Sequence, residues 1–505
     1  MNDSQRRLPL NVFANLGVLL AGIGVGVWQT PFLIDRLGVP AYGQIGLLRS
    51  ISDYGMLAAF TMTACVHRFV AMGVNAEDWS QASRYYASAF SALLVLCGTT
   101  LLLGVGVQAW LPAWIGSPTE YHGAIRGLFM LMLLSSCLGV LNGPFMSIPL
   151  ARHRFDLIGA VRLTGFVIQV GLLLILFAMG SAALTFVGWA YVGKECVVLS
   201  GAVWLSVAMA PKIRLALRHV DWQAVREMVG MSLWAVVDRV GFLLYFSVDL
   251  LVINLLLGNL ATGHYAPITQ LGTLLSMFIV AVTNVFWPIA YEHVAKNRIV
   301  ELTRAVLRTT KFMGLVIALP VGLLCGLAGP FLEVWLGAQW RNLGPLLILL
   351  ITPYAINYAL QHLYSVTHAM NLVRVPALVT VAGGVLNLLL SVVLVKWTPL
   401  GLYGVALATG IALTMRNVGF MAWYISRILN VSVTSILRGL VPGMVVTAVL
   451  GGCGRLAAEW FALEKLLHLG VAAVVLGCIY MALCAAMFSR GDWGLLKTLL
   501  ASRQG

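Results

Sequence analysis

Several charged residues of this sequence lie inside otherwise apolar stretches, and an ionised group there needs a reason. Insertion of one such charge at a bilayer centre costs at least about 2.5–3.5 kcal/mol, so intramembrane charges line a cavity or pair with one another. Arg49 and Asp53 stand four residues apart, on one face of a helix; Lys194 adjoins Glu195; Asp238, Arg239 and Asp249 share a third stretch; Arg162 and Arg416 complete the set. Cations outnumber acids, which suits an anionic ligand, and the planar fork of arginine matches phosphate oxygens better than any other side chain.

Arg49 is the first candidate, about 10 Å from the start of its stretch at Tyr42. Its alternative is an i,i+4 ion pair with Asp53. Arg239 is the second, about 15 Å into its helix, and Lys194 the third. Adjacent residues on a helix point about 100° apart, so Asp238 and Arg239 face different ways, whereas Asp238, Tyr245 and Asp249 share a face. Asp238, Asp249 and Asp53 are the candidates for holding a small cation or proton. The competing expectation is that they form salt bridges to neighbouring helices. Arg162 and Arg416 lie nearer the inner ends of their stretches and are expected to snorkel to the headgroups. The eight cysteines lie singly in apolar runs without CxxC or ligand spacing, so neither a disulfide framework nor a metal site is expected.

The elements that position these residues follow from composition. Of 505 residues 60% are hydrophobic and only 10% charged, against about a quarter charged in soluble domains. The expected fold is an all-α polytopic membrane protein. About 20 apolar residues cross the hydrocarbon core, and segments starting near Leu10, Tyr42, Tyr85, Ala124, Leu157, Ala183, Val229, Ile268, Phe312, Leu346, Val375, Leu402, Leu437 and Leu467 qualify. A signal peptide is not expected from Leu10–Leu33, and Arg6–Arg7 read as an inside anchor. With both termini cytoplasmic, roughly 21 of the 32 Lys and Arg residues fall in inside loops, the asymmetry that sets topology. The net charge of +14 is dispersed, which argues against nucleic acid.

LPAWIG from Leu111 echoes LEVWLG from Leu332, RLGVPAYG from Arg36 echoes LLGNLATGHYA from Leu256, and FVGWAYV from Phe186 echoes LYGVALA from Leu402. Three echoes in order imply two six-helix lobes in parallel repeat with a cavity between them. The expected division is an N-terminal lobe 1–210, a basic connector 211–228 that either lies on the membrane as an amphipathic helix or simply links the lobes, a C-terminal lobe 229–428, and two additional helices with a cytoplasmic tail in 429–505.

FLIDRLGVPAYGQIGLLRSISDYGML from Phe32, PLARHRFDLIGAVR from Pro149 and DWQAVREMVGMSLW from Asp221 resemble the polysaccharide-transporter branch of the multidrug/oligosaccharidyl-lipid/polysaccharide exporter superfamily. The resemblance spans essentially the whole chain. It implies a flippase of the bacterial inner membrane, moving undecaprenyl-diphosphate-linked oligosaccharide by alternating access for O-antigen, capsule or exopolysaccharide. The cargo diphosphate then falls to Arg49, Arg239 and Lys194, and a sodium ion or proton becomes the expected coupling ion, with no other cofactor. The tenth segment sets Tyr354, Asn357, Tyr358, Gln361, His362 and Tyr364 at helical spacing; Tyr358 and Gln361 are the candidates for contacting sugar. Expected partners are the lipid-linked glycan, membrane lipids, a glycan polymerase and a chain-length regulator. A multidrug or cation antiporter is the main rival, weakened because Leu10–Leu33 holds no acid. A lipid II flippase and a membrane-embedded glycan-processing enzyme are further alternatives, the latter opposed by loops without a catalytic constellation.

Overall fold

Inside a bilayer a spanning segment must satisfy its own N–H and C=O groups, so each apolar stretch is driven into a helix. The computed structural model describes residues 8–180, 183–213, 215–461 and 463–487, and no strand occurs among them. Arg6–Arg7 and the tail beyond Met487 lie outside the described residues.

The first half of the chain forms α1 (Leu8–Leu37), α2 (Val39–Gly55), α3 (Leu57–Asn75), α4 (Trp79–Trp114), α5 (His122–Ala151), α6 (Phe155–Met179) and α7 (Leu184–Met209). The second half forms α8 (Trp222–Phe246), α9 (Val248–Leu257), α10 (Asn259–Thr283), α11 (Trp287–Ala295), α12 (Ile299–Gly326), α13 (Ala328–Leu336), α14 (Gly344–Asn357), α15 (Leu363–Ala369), α16 (Arg374–Trp397), α17 (Leu402–Thr414) and α18 (Ala422–Ile428), with a π-helical stretch Met415–Met421 before α18. α19 (Val433–Arg438), α20 (Val441–Trp460) and α21 (Leu466–Met487) follow.

Thirteen helical stretches among the described residues are long and apolar enough to cross a membrane, and the chain is a multi-pass membrane protein. The fourteenth expected span, from Leu346, is present as α14 and α15 with a turn at 358–362 between them. Helices start earlier than hydropathy alone suggests because polar caps and amphipathic turns extend them. Asp78 caps α4 by accepting from Gln81 N, and Asp221 caps α8 by accepting from Gln223 N. α12 begins at Ile299 instead of near Phe312: its first turns bury Leu302 and Val306 while Glu301, Arg304 and Arg308 stay exposed, a pattern a hydropathy window averages away.

The repeat is written in the backbone. Gly38 and Gly258 adopt φ of 84° and 85°, and Gly116 and Gly337 adopt 66° and 107°. These glycines belong to the echoing motifs, and each pair is separated by about 220 residues. Such φ values crowd a Cβ, which explains why both copies keep glycine there. Glu77 pairs in the same way with Asn297 (φ 57° and 53°), and His153 with Asn371 (53° and 58°).

Contact density divides the chain into Met1–Ala266 and Pro267–Gly505, so α8 and α9 pack with the first seven helices. That division measures packing, a different quantity from the repeat that set the lobes at 1–210 and 229–428. Among the described residues the connector runs irregularly after Ala210, with one 3-10 turn at Leu217–His219 and no α-helix before Trp222. It is fastened to α4: Asp221 pairs with Arg84 and its N–H donates to Ser88 Oγ at 2.8 Å, while Tyr85 donates to Glu227 at 2.6 Å.

In the second unit α12 and α20 approach through glycine. A Cβ on Gly443 would lie 2.5 Å from the carbonyl of Gly314, and one on Gly326 would lie 2.9 Å from Gly454 Cα. Small residues at such crossings let backbones touch where apolar side chains gain nothing over lipid.

Candidate functional site

The charges that the sequence scatters over four helices converge in the first unit. Arg49, on α2, is exposed, with its guanidinium 5.1 Å from the centre of the Tyr191 ring on α7. It also stands within electrostatic reach of the Tyr191 hydroxyl, Asp53 and Glu195. A cation over an aromatic face gains about 0.5–2 kcal/mol. The expected Arg49–Asp53 ion pair does not close among the described residues; Asp53, half-buried, feels Arg49 and Arg239 together. Tyr191 offers Arg49 a ring face in its place.

Tyr191 is itself held. Gln29 Nε2 on α1 donates to its hydroxyl at 3.3 Å, and Gln169 Nε2 on α6 donates to Gln29 Oε1 at 2.9 Å. Gln29 and Gln169 are both buried. A hydrogen-bonded chain across α1, α6 and α7 therefore fixes the surface on which Arg49 rests.

Glu195 is one helical turn after Tyr191, so the two share a face of α7. Lys194 Nζ lies 3.0 Å from Glu195 Oε1, and both side chains are largely shielded. The ammonium also sits 5.3 Å from the Phe166 ring centre. Arg162 on α6 is exposed and comes within electrostatic reach of Glu195 and of His67 on α3. α5 makes room with Gly139, where a Cβ would stand 3.4 Å from Glu195 Oε2. His67 Nδ1 is 2.7 Å from Ser147 Oγ.

From α8, Arg239 stands within electrostatic reach of Asp53 and lies 5.0 Å from the Phe242 ring centre and 5.9 Å from that of Phe60. The structure thus brings Arg49, Arg239, Lys194 and Asp53 together, and adds Arg162 and Glu195. Four cations face two acids, leaving an excess of positive charge that an anion would offset.

The helix expected to carry Asp238, Tyr245 and Asp249 on one face is interrupted at Ser247, between α8 and α9. Asp249, at 3% exposure, falls on α9 near Tyr54, whose hydroxyl donates to Leu243 O at 3.1 Å. Tyr245 is fully buried and Asp238 half-buried.

The sugar-contact candidates lie in the second unit, and their setting differs from the expected helical spacing. Tyr358 and Gln361 fall in the turn between α14 and α15. Side chains there take carbonyls that a continuous helix would leave to its backbone: Asn357 Nδ2 donates to Pro353 O at 2.8 Å, His362 Nδ1 lies 3.0 Å from Ala359 O, and Ser365 Oγ donates to His362 O at 2.7 Å. Such local bonding competes with the helical ladder. Tyr358 is buried, its ring 4.7 Å from that of Tyr354, and Gln361 is half-buried. Arg416 is buried instead of snorkelling, 4.9 Å from the Tyr364 ring centre within the π-helical stretch. Tyr364 donates to Asn417, and Asn417 to Asn357, both at 3.1 Å.

Charge along the sequence does not mark Tyr191 or Gln169, nor the place of Glu195 beside Lys194. A lone Tyr or Gln in an apolar helix carries the only one-dimensional signal of such a role.

The polysaccharide biosynthesis protein family matches residues 47–345. The membrane protein EpsK of Bacillus subtilis, described as uncharacterized, is 28% identical over 442 residues, 86% of each chain. The probable low-salt glycan biosynthesis flippase Agl15 of Haloferax volcanii is 23% identical over 235 residues, covering 46% of this chain and 49% of that one. Among solved structures, the lipid II flippase MurJ in an inward closed conformation superposes with a TM-score of 0.62 at 11% identity, over 93% of this chain and 98% of that one. An inward-facing multidrug resistance MATE transporter of the MOP superfamily gives 0.61 at 15%, over 86% and 96%. At these identities the structures establish a shared fold.

Proposed function

The chain belongs to the polysaccharide biosynthesis protein family, and on that premise we propose that it is a flippase carrying an undecaprenyl-diphosphate-linked oligosaccharide from the inner to the outer leaflet of a bacterial inner membrane by alternating access. The glycan serves O-antigen, capsule or exopolysaccharide assembly, and a polymerase and chain-length regulator act on it after release. Both termini are cytoplasmic in this reading. The observation that supports it is the cluster around Arg49, with four cations set against two acids on helices of one unit. Arg49, Arg239 and Lys194 bind the diphosphate. Tyr358 and Gln361, in the helix break, contact sugar.

The direct test is reconstitution in vesicles carrying a fluorescent undecaprenyl-diphosphate oligosaccharide in both leaflets. Protein should let an external glycan-modifying reagent reach nearly all of the label, where protein-free vesicles expose about half. Equal exposure with and without protein rejects the reading.

Asp238, Asp249 and Asp53 are proposed to couple transport to a sodium ion or proton. Asp238→Asn removes a charge from α8 with little change in volume. Its translocation rate should lose most of its response to an imposed sodium or proton gradient; an unaltered response removes Asp238 from this role.

A further inference from the structure

Met56, Cys97 and Cys137 come from three separate stretches of sequence and meet in the first unit. Met56 occupies the break between α2 and α3, Cys97 lies on α4 and Cys137 on α5. Their exposures are 0%, 2% and 3%. Cys137 Sγ stands 3.7 Å from Met56 Sδ. The two cysteines face each other reciprocally, each Sγ 3.8 Å from the carbonyl oxygen of the other. All three belong to one apolar cluster that includes Ala59, Leu93 and Val140.

Three sulfurs gathered in one buried cluster have a specific chemistry. An ion held trigonally at metal–sulfur bonds of about 2.3 Å separates its ligands by about 4 Å, close to the 3.7 Å between Cys137 Sγ and Met56 Sδ. Thiolate and thioether together select soft monovalent d10 ions over zinc or magnesium. We propose that Met56, Cys97 and Cys137 form a binding site for one copper(I) or silver(I) ion. Binding forms metal–sulfur bonds to both cysteines and to the thioether, releases one proton to solvent for each thiolate formed, and changes no oxidation state. The bound ion ties α4 and α5 to the α2–α3 break, and α2 carries Arg49 and Asp53. The site thereby connects a soft metal to the helix that holds the charge cluster. Spacing along the chain concealed it, since its ligands lie far apart in sequence and one is a methionine.

The test titrates reduced, purified full-length protein with silver nitrate in chloride-free buffer, washes it, and counts metal by mass spectrometry. Wild type should retain one more silver per chain than Cys97→Ser/Cys137→Ser, whose remaining cysteines set the background. Silver should raise the thermal unfolding midpoint of wild type and leave that of the double variant in place. Met56→Leu, close in volume, should keep both thiols but release the ion at about tenfold lower thiol competitor, a loss of about 1.4 kcal/mol. Equal silver retention in wild type and double variant overturns the proposal. So does a Met56→Leu protein indistinguishable from wild type, which also decides the matter if the double variant fails to fold. Quantitative Cys97–Cys137 disulfide formation in air, with no silver retained by the reduced protein, assigns the pair to redox chemistry instead.

Discussion

Arg49→Ala is expected to slow glycan translocation by about 10- to 100-fold while leaving membrane insertion and yield near wild type. Charge-assisted hydrogen bonds to an anion contribute about 1.5–3 kcal/mol, and every 1.4 kcal/mol is tenfold. The loss falls on cargo binding because Arg49 is exposed and rests on the Tyr191 ring instead of being locked in a buried ion pair. Removing it leaves Glu195 its partner Lys194 at 3.0 Å and Asp53 within electrostatic reach of Arg239, so the fold survives. Arg49→Lys should fall between, since an ammonium keeps the charge but lacks the planar fork that meets two phosphate oxygens and stacks on an aromatic ring. Tyr191→Phe keeps the ring and loses the hydroxyl, and should cost far less than Arg49→Ala. Initial rates in the vesicle assay and size-exclusion profiles of the same preparations separate binding from folding. A full rate in Arg49→Ala would remove Arg49 from the diphosphate site.

Gly443→Val is expected to destabilise the second unit by about 3 kcal/mol, the upper end for overpacking, and to loosen α20 from α12. The magnitude follows from what the new side chain meets. Gly314 presents backbone C and O at 2.5 Å from the first added carbon, and a backbone cannot rotate away as a side chain can. The helices must part, and the contacts of Gly322 with Leu450 and of Gly326 with Gly454 part with them. Gly452→Val on the same helix is the control, because nothing lies within 4 Å of its Cβ position. A lower unfolding midpoint and faster proteolysis for Gly443→Val, with Gly452→Val unchanged, is the expected result. Equal midpoints for both would show that the glycine crossing carries no stability.

The span order was legible because lipid imposes a length rule on sequence. Helix starts at Leu402 and Leu466, against expected starts at Leu402 and Leu467, show how closely an apolar run marks its helix. The repeat was legible because backbone conformation leaves residue-level marks: a φ near 85° at Gly38 and Gly258 required glycine in both copies. Legibility failed where amphipathicity replaced bulk hydropathy, as at Ile299, and where side chains took over backbone bonding, as with Asn357, His362 and Ser365 at the break holding Tyr358 and Gln361.

The sequence by itself determined that this chain is a polytopic helical membrane protein, how its helices follow one another, that they repeat, and which residues are charged within them. Only the tertiary structure decided that Arg49 turns to Tyr191 and leaves Asp53 shared with Arg239, that Glu195 gathers Lys194 and Arg162, and that Met56 meets two cysteines. The physical reason is that in lipid a helix face packed against protein and a face packed against acyl chains are equally apolar. Periodicity therefore cannot say which faces meet. Crossings at residues such as Gly139 and Gly443, and polar chains such as Gln169–Gln29–Tyr191, make that choice in three dimensions.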